Sequence, residues 1–179
     1  MIYMFLAEGF EETEAICPLD MLRRANIEVK TVGIGGINIK GSHGITVVAD
    51  MADSDFDDFK PDGVILPGGM PGTKNLEASA VVQRVLDIAV DKGVHIAAIC
   101  AAPMILGKKG ILKGREAICY PGYEEYLDGA VLSNKRCVTD GNITTAIGVG
   151  AALEFGIELV RVFDSQDTAQ KLSRAAIIR

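Results

Sequence analysis

An α/β fold with a mostly parallel central sheet is what this sequence predicts, on three observations. Short runs rich in Ile and Val alternate with longer amphipathic stretches through most of the chain, the pattern of a parallel sheet covered on both faces. Glycine and proline punctuate the junctions, as in "LPGG" and "DKGVHIAAIC". The chain has 179 residues, 49% of them apolar, which is one domain's length with a substantial core. Residues 1–179 are therefore read as a single flavodoxin-like α/β/α sandwich without internal repeat or linker.

"IYMFLA" is the first strand. A helix follows from about Glu11 to Asn26, where Ala15, Leu19, Leu22 and Ala25 recur at helical spacing and Pro18 bends the axis. "IEVKTVGI" is the second strand. "INIKGSHGITVVAD" reads as a hairpin or edge excursion, because Gly41 and Gly44 flank its turn. The acidic cluster from Asp50 to Asp58 is assigned to a solvated loop or helix start. "DGVILPGG" is the third core strand. From Ala80 to Lys92, Val82, Val85, Leu86 and Ala89 share one helical face, and Gly93 is the stop. "VHIAAIC" is the next strand and "AAPMILGKKG" a short helix that admits Pro103 in its first turn. "REAIC" and "RCVTDG" are further strands. The small-residue stretch "TTAIGVGAALEFGIELV" predicts a helix lying close against a sheet, and a final amphipathic helix begins near Asp164. In such sheets sites form beyond the carboxyl ends of the strands. "AEGFEETE", "PGGMPG" and "CAAP" should converge there.

Charge excludes some functions. The net charge is −6, with no run of Lys or Arg long enough to form a stripe, which argues against nucleic acid and anionic membranes as partners. No segment approaches the roughly 18 uninterrupted apolar residues of a membrane span. "MIYMFLA" lacks the basic flank of a signal peptide and meets Glu8 at once, so a cytoplasmic protein with reduced thiols is expected. The four cysteines, Cys17, Cys100, Cys119 and Cys137, form no CxxC pair. With only two histidines, His43 and His95, no metal constellation follows, and no cofactor is expected.

One sulfur stands out by position. Cys100 lies where a strand gives way to a helix, and a helix N-terminus favours thiolate through its dipole and free amides. Such turns present nucleophiles in other folds, while a buried Cys is as often a small hydrophobe. Glu11, Glu12 and Glu14 are open to two readings as well, first-turn helix charges or partners of a reactive group. Gly68 and Gly69 permit close backbone approach to a ligand, or simply a tight turn.

"PGG" after a strand, "AAICAAP" about thirty residues on and "GFEETEA" near the N-terminus together resemble the ThiJ/PfpI superfamily. The resemblance extends over the whole chain, including "PLDMLRRANIEV" and "LPGGMPGTKNL", and is to the branch of the Parkinson-disease-associated protein deglycase and its bacterial relatives. It implies a nucleophilic, oxidisable Cys100 with the Glu14 carboxyl beside it. Two such groups in contact share one proton, and a helix terminus favouring thiolate would leave that proton on Glu14. The resemblance also implies an oxyanion pocket from the amides of Gly69 and Ala101, and a homodimer. For the dimer, α-helical residues Met21, Arg23 and Arg24 are taken as an exposed isologous contact.

The sequence departs from the family pattern twice. Ala101 follows Cys100 where a peptidase-like branch carries histidine, so amide hydrolysis is not expected. Tyr120 precedes Pro121 where the deglycase branch commonly has histidine, and Tyr120 is expected to shape the pocket. His95 is read as a satisfied strand residue. His43 is read as a loop residue, or as one reaching the pocket across a dimer interface. The function expected is cysteine-dependent conversion of small reactive dicarbonyls or their adducts, glyoxalase-like or deglycase-like. The alternatives are a redox-responsive or holdase protein oxidised at Cys100, and a thiazole-monophosphate biosynthesis protein, for which no phosphate-binding motif is present.

Overall fold

β1 (Ile2–Leu6) is buried along its whole length, which suits a strand at the centre of a sheet. The computed structural model describes residues 1–57 and 60–178. In chain order β1 is followed by α1 (Glu12–Arg24), β2 (Val29–Gly33), β3 (Asn38–Lys40), β4 (Thr46–Val48), β5 (Met51–Ala52) and β6 (Gly63–Leu66). Next come α2 (Gly72–Ala78), α3 (Ala80–Lys92), β7 (His95–Ile99), α4 (Pro103–Lys108), β8 (Glu116–Ala117) and β9 (Val131–Leu132). β10 (Cys137–Asp140), β11 (Ile143–Ala146), α5 (Ala152–Phe163) and α6 (Gln166–Ala175) end the order.

The main sheet runs β10-β11-β7-β6-β1-β2-β5, and all its pairings are parallel except β10 with β11. Helices cover both faces. Because successive strand residues point to opposite sides, β1 sends Phe5 into one core and Met4 and Leu6 into the other. The first core packs against Val82, Val85, Leu86 and Ala89 of α3. The second packs against Leu19 and Leu22 of α1 and Phe155 and Leu159 of α5. Each such large side chain, fully buried, contributes roughly 1.5–3 kcal/mol. This is the flavodoxin-like α/β fold that the alternating pattern predicts.

Local signals set the helix ends. Ser79 caps α3 by accepting the Val82 amide, and Gly93 stops it at φ 66°. The Glu11 side chain caps α1 by accepting the Glu14 amide, with Pro18 inside the helix. β3 and β4 form the expected hairpin, as a separate antiparallel pair.

Other elements differ from expectation. Thr144, Thr145 and Ala146 belong to β11, not to a helix, since β-branched residues suit a sheet and both β7 and β10 pair there; the helix starts at Ala152. The acidic cluster is not all loop: β5 pairs with β2 at the sheet edge and Asp53–Asp55 forms a 3₁₀ turn. Asp58 lies outside the described residues. α2 and β9 carry no clear periodicity and were not anticipated. Met21 is only 4% exposed, because it packs on α5 at Gly156; it is no surface contact. Arg23 pairs with Asp50 and Arg24 with Asp20. No helix among the described residues is long and apolar enough to cross a membrane.

Candidate functional site

The chain turns beyond β1 and β6 are stitched together by backbone hydrogen bonds. The Glu11 amide donates to the Gly68 carbonyl at 2.9 Å and the Gly72 amide to Gly9 at 3.1 Å. A Cβ at Gly68 would collide with both the Glu14 carboxyl and Cys100, and Gly69 stands at φ 91° against the backbone of Glu11. The glycine pair is thus required by close approach as well as by the turn.

Cys100 follows the last residue of β7 and is held at φ 65°, in the left-handed region that costs a non-glycine residue roughly 1–2 kcal/mol. Its amide donates to Ala146 at 2.9 Å and its carbonyl accepts from Tyr120 at 2.8 Å, so both flanks are pinned. α4 begins only at Pro103, with Ala102 as its cap, and has six residues. Cys100 is therefore not at a helix N-terminus, and the dipole argument for thiolate gives way to local amides. The amides of Gly69 and Ala101 hydrogen-bond the sulfur, but burial and the Glu14 charge outweigh them and push the thiol up to about 12.

Glu14 meets that sulfur from α1, almost wholly buried. Burial raises its pKa to about 7, against the hydrogen bonds from Cys100 and from the amides of Gly68 and Val149; the Gly68 amide lies at 3.1 Å. Two negative charges in contact exclude each other. The pair therefore resists losing both protons: it carries two below about pH 7 and keeps one above it, titrating as a unit. Thiolate forms when that proton sits on Glu14. Burial also raises Cys17, Cys119 and Cys137, so what distinguishes Cys100 is its surroundings rather than an acidic thiol.

Cys100 and Glu14 open into a cavity of about 620 Å³, lined further by Glu11, His43, Tyr120, Pro121 and the 147–150 turn. The structure thus gathers Cys100, Glu14 and Tyr120 in one cavity; Gly68, Gly69 and Ala101 do not line it, but the Gly68 amide bonds Glu14 and those of Gly69 and Ala101 bond the sulfur. Tyr120 is half exposed and meets Tyr123 edge-on at 6.3 Å. Sequence reasoning missed the 147–150 turn, whose Gly148 is held at φ 153° beside Glu14, Cys100 and Tyr120; the run of small residues there was the available signal.

His43 reaches the cavity of its own chain. Its Nδ1 lies 2.9 Å from Glu12 Oε2 and 3.8 Å from Glu11 Oε1. The Glu12 carboxylate also accepts the amides of His43 and Ile45 at 2.8 and 3.3 Å. Burial would raise Glu12, but the His43 side chain and these amides bring it down to about 2. In return Glu12 raises the pKa of His43. Glu11, Glu12 and His43 bring ligand atoms within 4.8 Å of one another, a grouping that residue spacing had not suggested. With both Glu12 oxygens taken by hairpin donors, it is a hydrogen-bonded clamp. His95, by contrast, pairs Nε2 with Thr144 Oγ1 at 2.8 Å at the other end of β7, and burial lowers it to about 4. A second cavity, about 710 Å³ around Cys137, Glu154 and Glu158, holds none of the predicted site residues.

Residues 1–162 match the DJ-1/PfpI family. Protein dj-1beta of Drosophila melanogaster is 33% identical over 178 residues, covering 98% of this chain and 95% of that protein. Glutathione-independent glyoxalase DJR-1.2 of Caenorhabditis elegans is 31% identical, covering 92% of this chain and 89% of its own. Among solved structures, Toxoplasma gondii DJ-1 in an oxidized form superposes with a TM-score of 0.94 at 30% identity, covering 98% and 97% of the two chains.

Proposed function

The chain belongs to the DJ-1/PfpI family, and from that premise we propose that it is a cysteine-dependent enzyme for small reactive dicarbonyls or their adducts. The observation that carries this reading is the hydrogen-bonded contact of Cys100 with the buried Glu14 carboxyl in an open cavity, with the amides of Gly69 and Ala101 on the sulfur. The similarity to a glutathione-independent glyoxalase supports the same chemistry.

For methylglyoxal the steps balance within the molecule. Glu14 takes the thiol proton as sulfur bonds to the aldehyde carbon, and returns it to the aldehyde oxygen. The hemithioacetal results. Glu14 then removes the hydrogen on that carbon; the pair forms a carbon–carbon double bond, and the ketone oxygen is protonated. Return of the proton from Glu14 to the former ketone carbon, with loss of the other hydroxyl proton, leaves a thioester of lactate. Water cleaves it and restores the thiol. The aldehyde carbon is oxidised and the ketone carbon reduced, so no cofactor is consumed. Glu14 serves as acid and base in turn, and a pKa of about 7 suits both.

Purified protein incubated with methylglyoxal should form lactate over many turnovers, and Cys100→Ser should form none. A parent that is modified once and stops, or a Cys100→Ser variant that keeps the rate, rejects the enzyme. The second reading is redox sensing, favoured by the similarity to an oxidized relative: the Gly69 and Ala101 amides and Glu14 would hold the oxygens of a Cys100 sulfinate. Modest peroxide should then stop at two added oxygens on Cys100 by intact mass, with Glu14→Ala altering the profile. Pairing of two copies belongs to the same proposal. It would draw on Ile16 of α1, 39% exposed, and a monomeric mass in light scattering would remove it.

A further inference from the structure

We propose that His43, presented by the β3–β4 hairpin and oriented by Glu12, is a catalytic residue of the thiol cavity that exchanges protons with the substrate's oxygens through its Nε2. The inference rests on the dicarbonyl reading above and supplies a group that reading leaves unnamed. When Glu14 draws the hydrogen from the hemithioacetal carbon, the ketone oxygen gains the electron pair and needs a proton. Cys100 is bonded to substrate at that moment and Glu14 has just been filled.

The geometry points to His43. His43 lines the cavity with Cys100, Glu14 and Tyr120. Nδ1 is committed to the clamp, 2.9 Å from Glu12 and 3.1 Å from Ser42 Oγ. Among the described residues none bonds Nε2, so that edge is the one left for a ligand. The hairpin is not a loose carrier. The Ser42 amide donates to Phe10 at 2.8 Å and the Gly9 amide to Lys40 at 2.8 Å, and Glu12 holds the amides of residues 43 and 45. A side chain at Gly41 would strike the Glu12 carboxyl, so the turn can close on it only as glycine.

Proton bookkeeping closes on the same residue. His43 as imidazolium gives the Nε2 proton to the ketone oxygen as the enediol forms. It then takes the proton from the hydroxyl on the sulfur-bearing carbon as that carbon becomes the thioester carbonyl. The imidazolium is restored, and no outside acid or base is needed. An imidazole thus enters this site from the hairpin, whereas position 120, where the resemblance led one to look for it, carries tyrosine. The charged groups facing His43 are Glu12 and Glu11 from α1, with Glu14 and Cys100 across the cavity. The first two favour the protonated ring, and Glu12 acts through it as a positioning residue.

The test compares the full-length parent with His43→Gln, Glu12→Gln and Cys100→Ser. His43→Gln should lower kcat for methylglyoxal about 10–100-fold, with KM within about threefold, and remove the alkaline limb of the kcat–pH profile. Glu12→Gln should keep that limb but move it to lower pH, which a merely structural loss would not do. Independently, the two histidines give separate NMR signals. In Cys100→Ser, hydroxyacetone (a ketone without the reactive aldehyde) should shift the His43 ring resonances and leave His95 still. Unchanged kcat and alkaline limb in His43→Gln, or a silent His43 signal, overturns the inference while methylglyoxal turnover stands. A parent without turnover but with a His43 signal that follows hydroxyacetone rejects the dicarbonyl chemistry and keeps His43 as a ligand contact.

Discussion

Glu12 and Glu14 leave the same helix two residues apart, both are buried, and they end in opposite electrostatic states. Glu12 is held near pKa 2 by an imidazole and two hairpin amides; Glu14 is raised to about 7 by burial against a thiol and only two amides. One carboxylate is saturated with donors and ties the β3–β4 hairpin to α1. The other is short of donors and is hydrogen-bonded to the Cys100 thiol. Burial acts on both in the same direction; the number and charge of the donors decide the outcome. A buried carboxylate that is fully paired fastens structure, and one that is underpaired is available for chemistry.

The largest expected effect tests the underpaired member. Glu14→Gln keeps the shape and removes the proton carrier, so kcat for methylglyoxal should fall about 10²–10⁴-fold. Stability should move the other way. The folded pKa of Glu14 lies above its ordinary 4.5, so its stabilising contribution is complete below pH 4.5 and is lost as pH rises through about 7. At pH 8 the variant should therefore be more stable than the parent by roughly 3 kcal/mol, and at pH 4 about equal. Urea titrations at the two pH values check it. Equal stability at pH 8 would mean that Glu14 is not strained by burial.

Glu12 should show the mirror image at smaller amplitude. Its folded pKa of about 2 lies below 4.5, so its contribution is present above pH 4.5 and fades as pH falls toward 2. Glu12→Ala strands the hairpin amides and should cost about 2 kcal/mol at pH 7, with hydrogen exchange accelerating first at residues 43 and 45. The difference from the parent should shrink below pH 4. A uniform cost at all pH values would reduce Glu12 to packing.

Most of this fold was legible because its signals are local. The period of α3, its Ser79 and Gly93 ends and the buried run of β1 each name their element without help from the rest of the chain. β11 was misread because "TTAIGVG" has the small residues of a packed helix, while its strand state depends on β7 and β10 at its sides. β5, two residues long, depends wholly on β2. Cys100 and Glu14 were placed together by resemblance, and their contact closes over a sequence gap that no spacing rule spans. The Glu12–His43 clamp stayed hidden for the same physical reason: the two are joined only after the hairpin folds back on α1.

The backbone under Cys100 offers a sharper, smaller test of the active half of the comparison. At φ 65° a residue with a Cβ is strained, and glycine is not. Cys100→Gly should thus be more stable than Cys100→Ala by about 1 kcal/mol, the reverse of the usual order for these residues inside regular structure. Thermal unfolding of the two variants would decide it. Alanine as stable as glycine would show that the turn relaxes when the sulfur leaves.

The smallest effect expected is at Tyr120, and it separates shaping a pocket from moving protons. Tyr120 is half exposed, lines the cavity and leans on Tyr123 at 6.3 Å, so Tyr120→Phe keeps the ring contact and removes only the hydroxyl. A phenol is a poorer proton carrier at neutral pH than a carboxyl or an imidazole. Its hydroxyl can still donate to a carbonyl oxygen of the ligand, in ground and transition states alike. Loss of such uniform binding raises KM and leaves kcat in place. One neutral hydrogen bond is worth about 0.5–1.5 kcal/mol, so KM should rise about 2–10-fold with kcat within twofold. If kcat falls instead and KM holds, Tyr120 takes part in proton transfer, and the division of labour between Glu14 and the hairpin's His43 has to be redrawn.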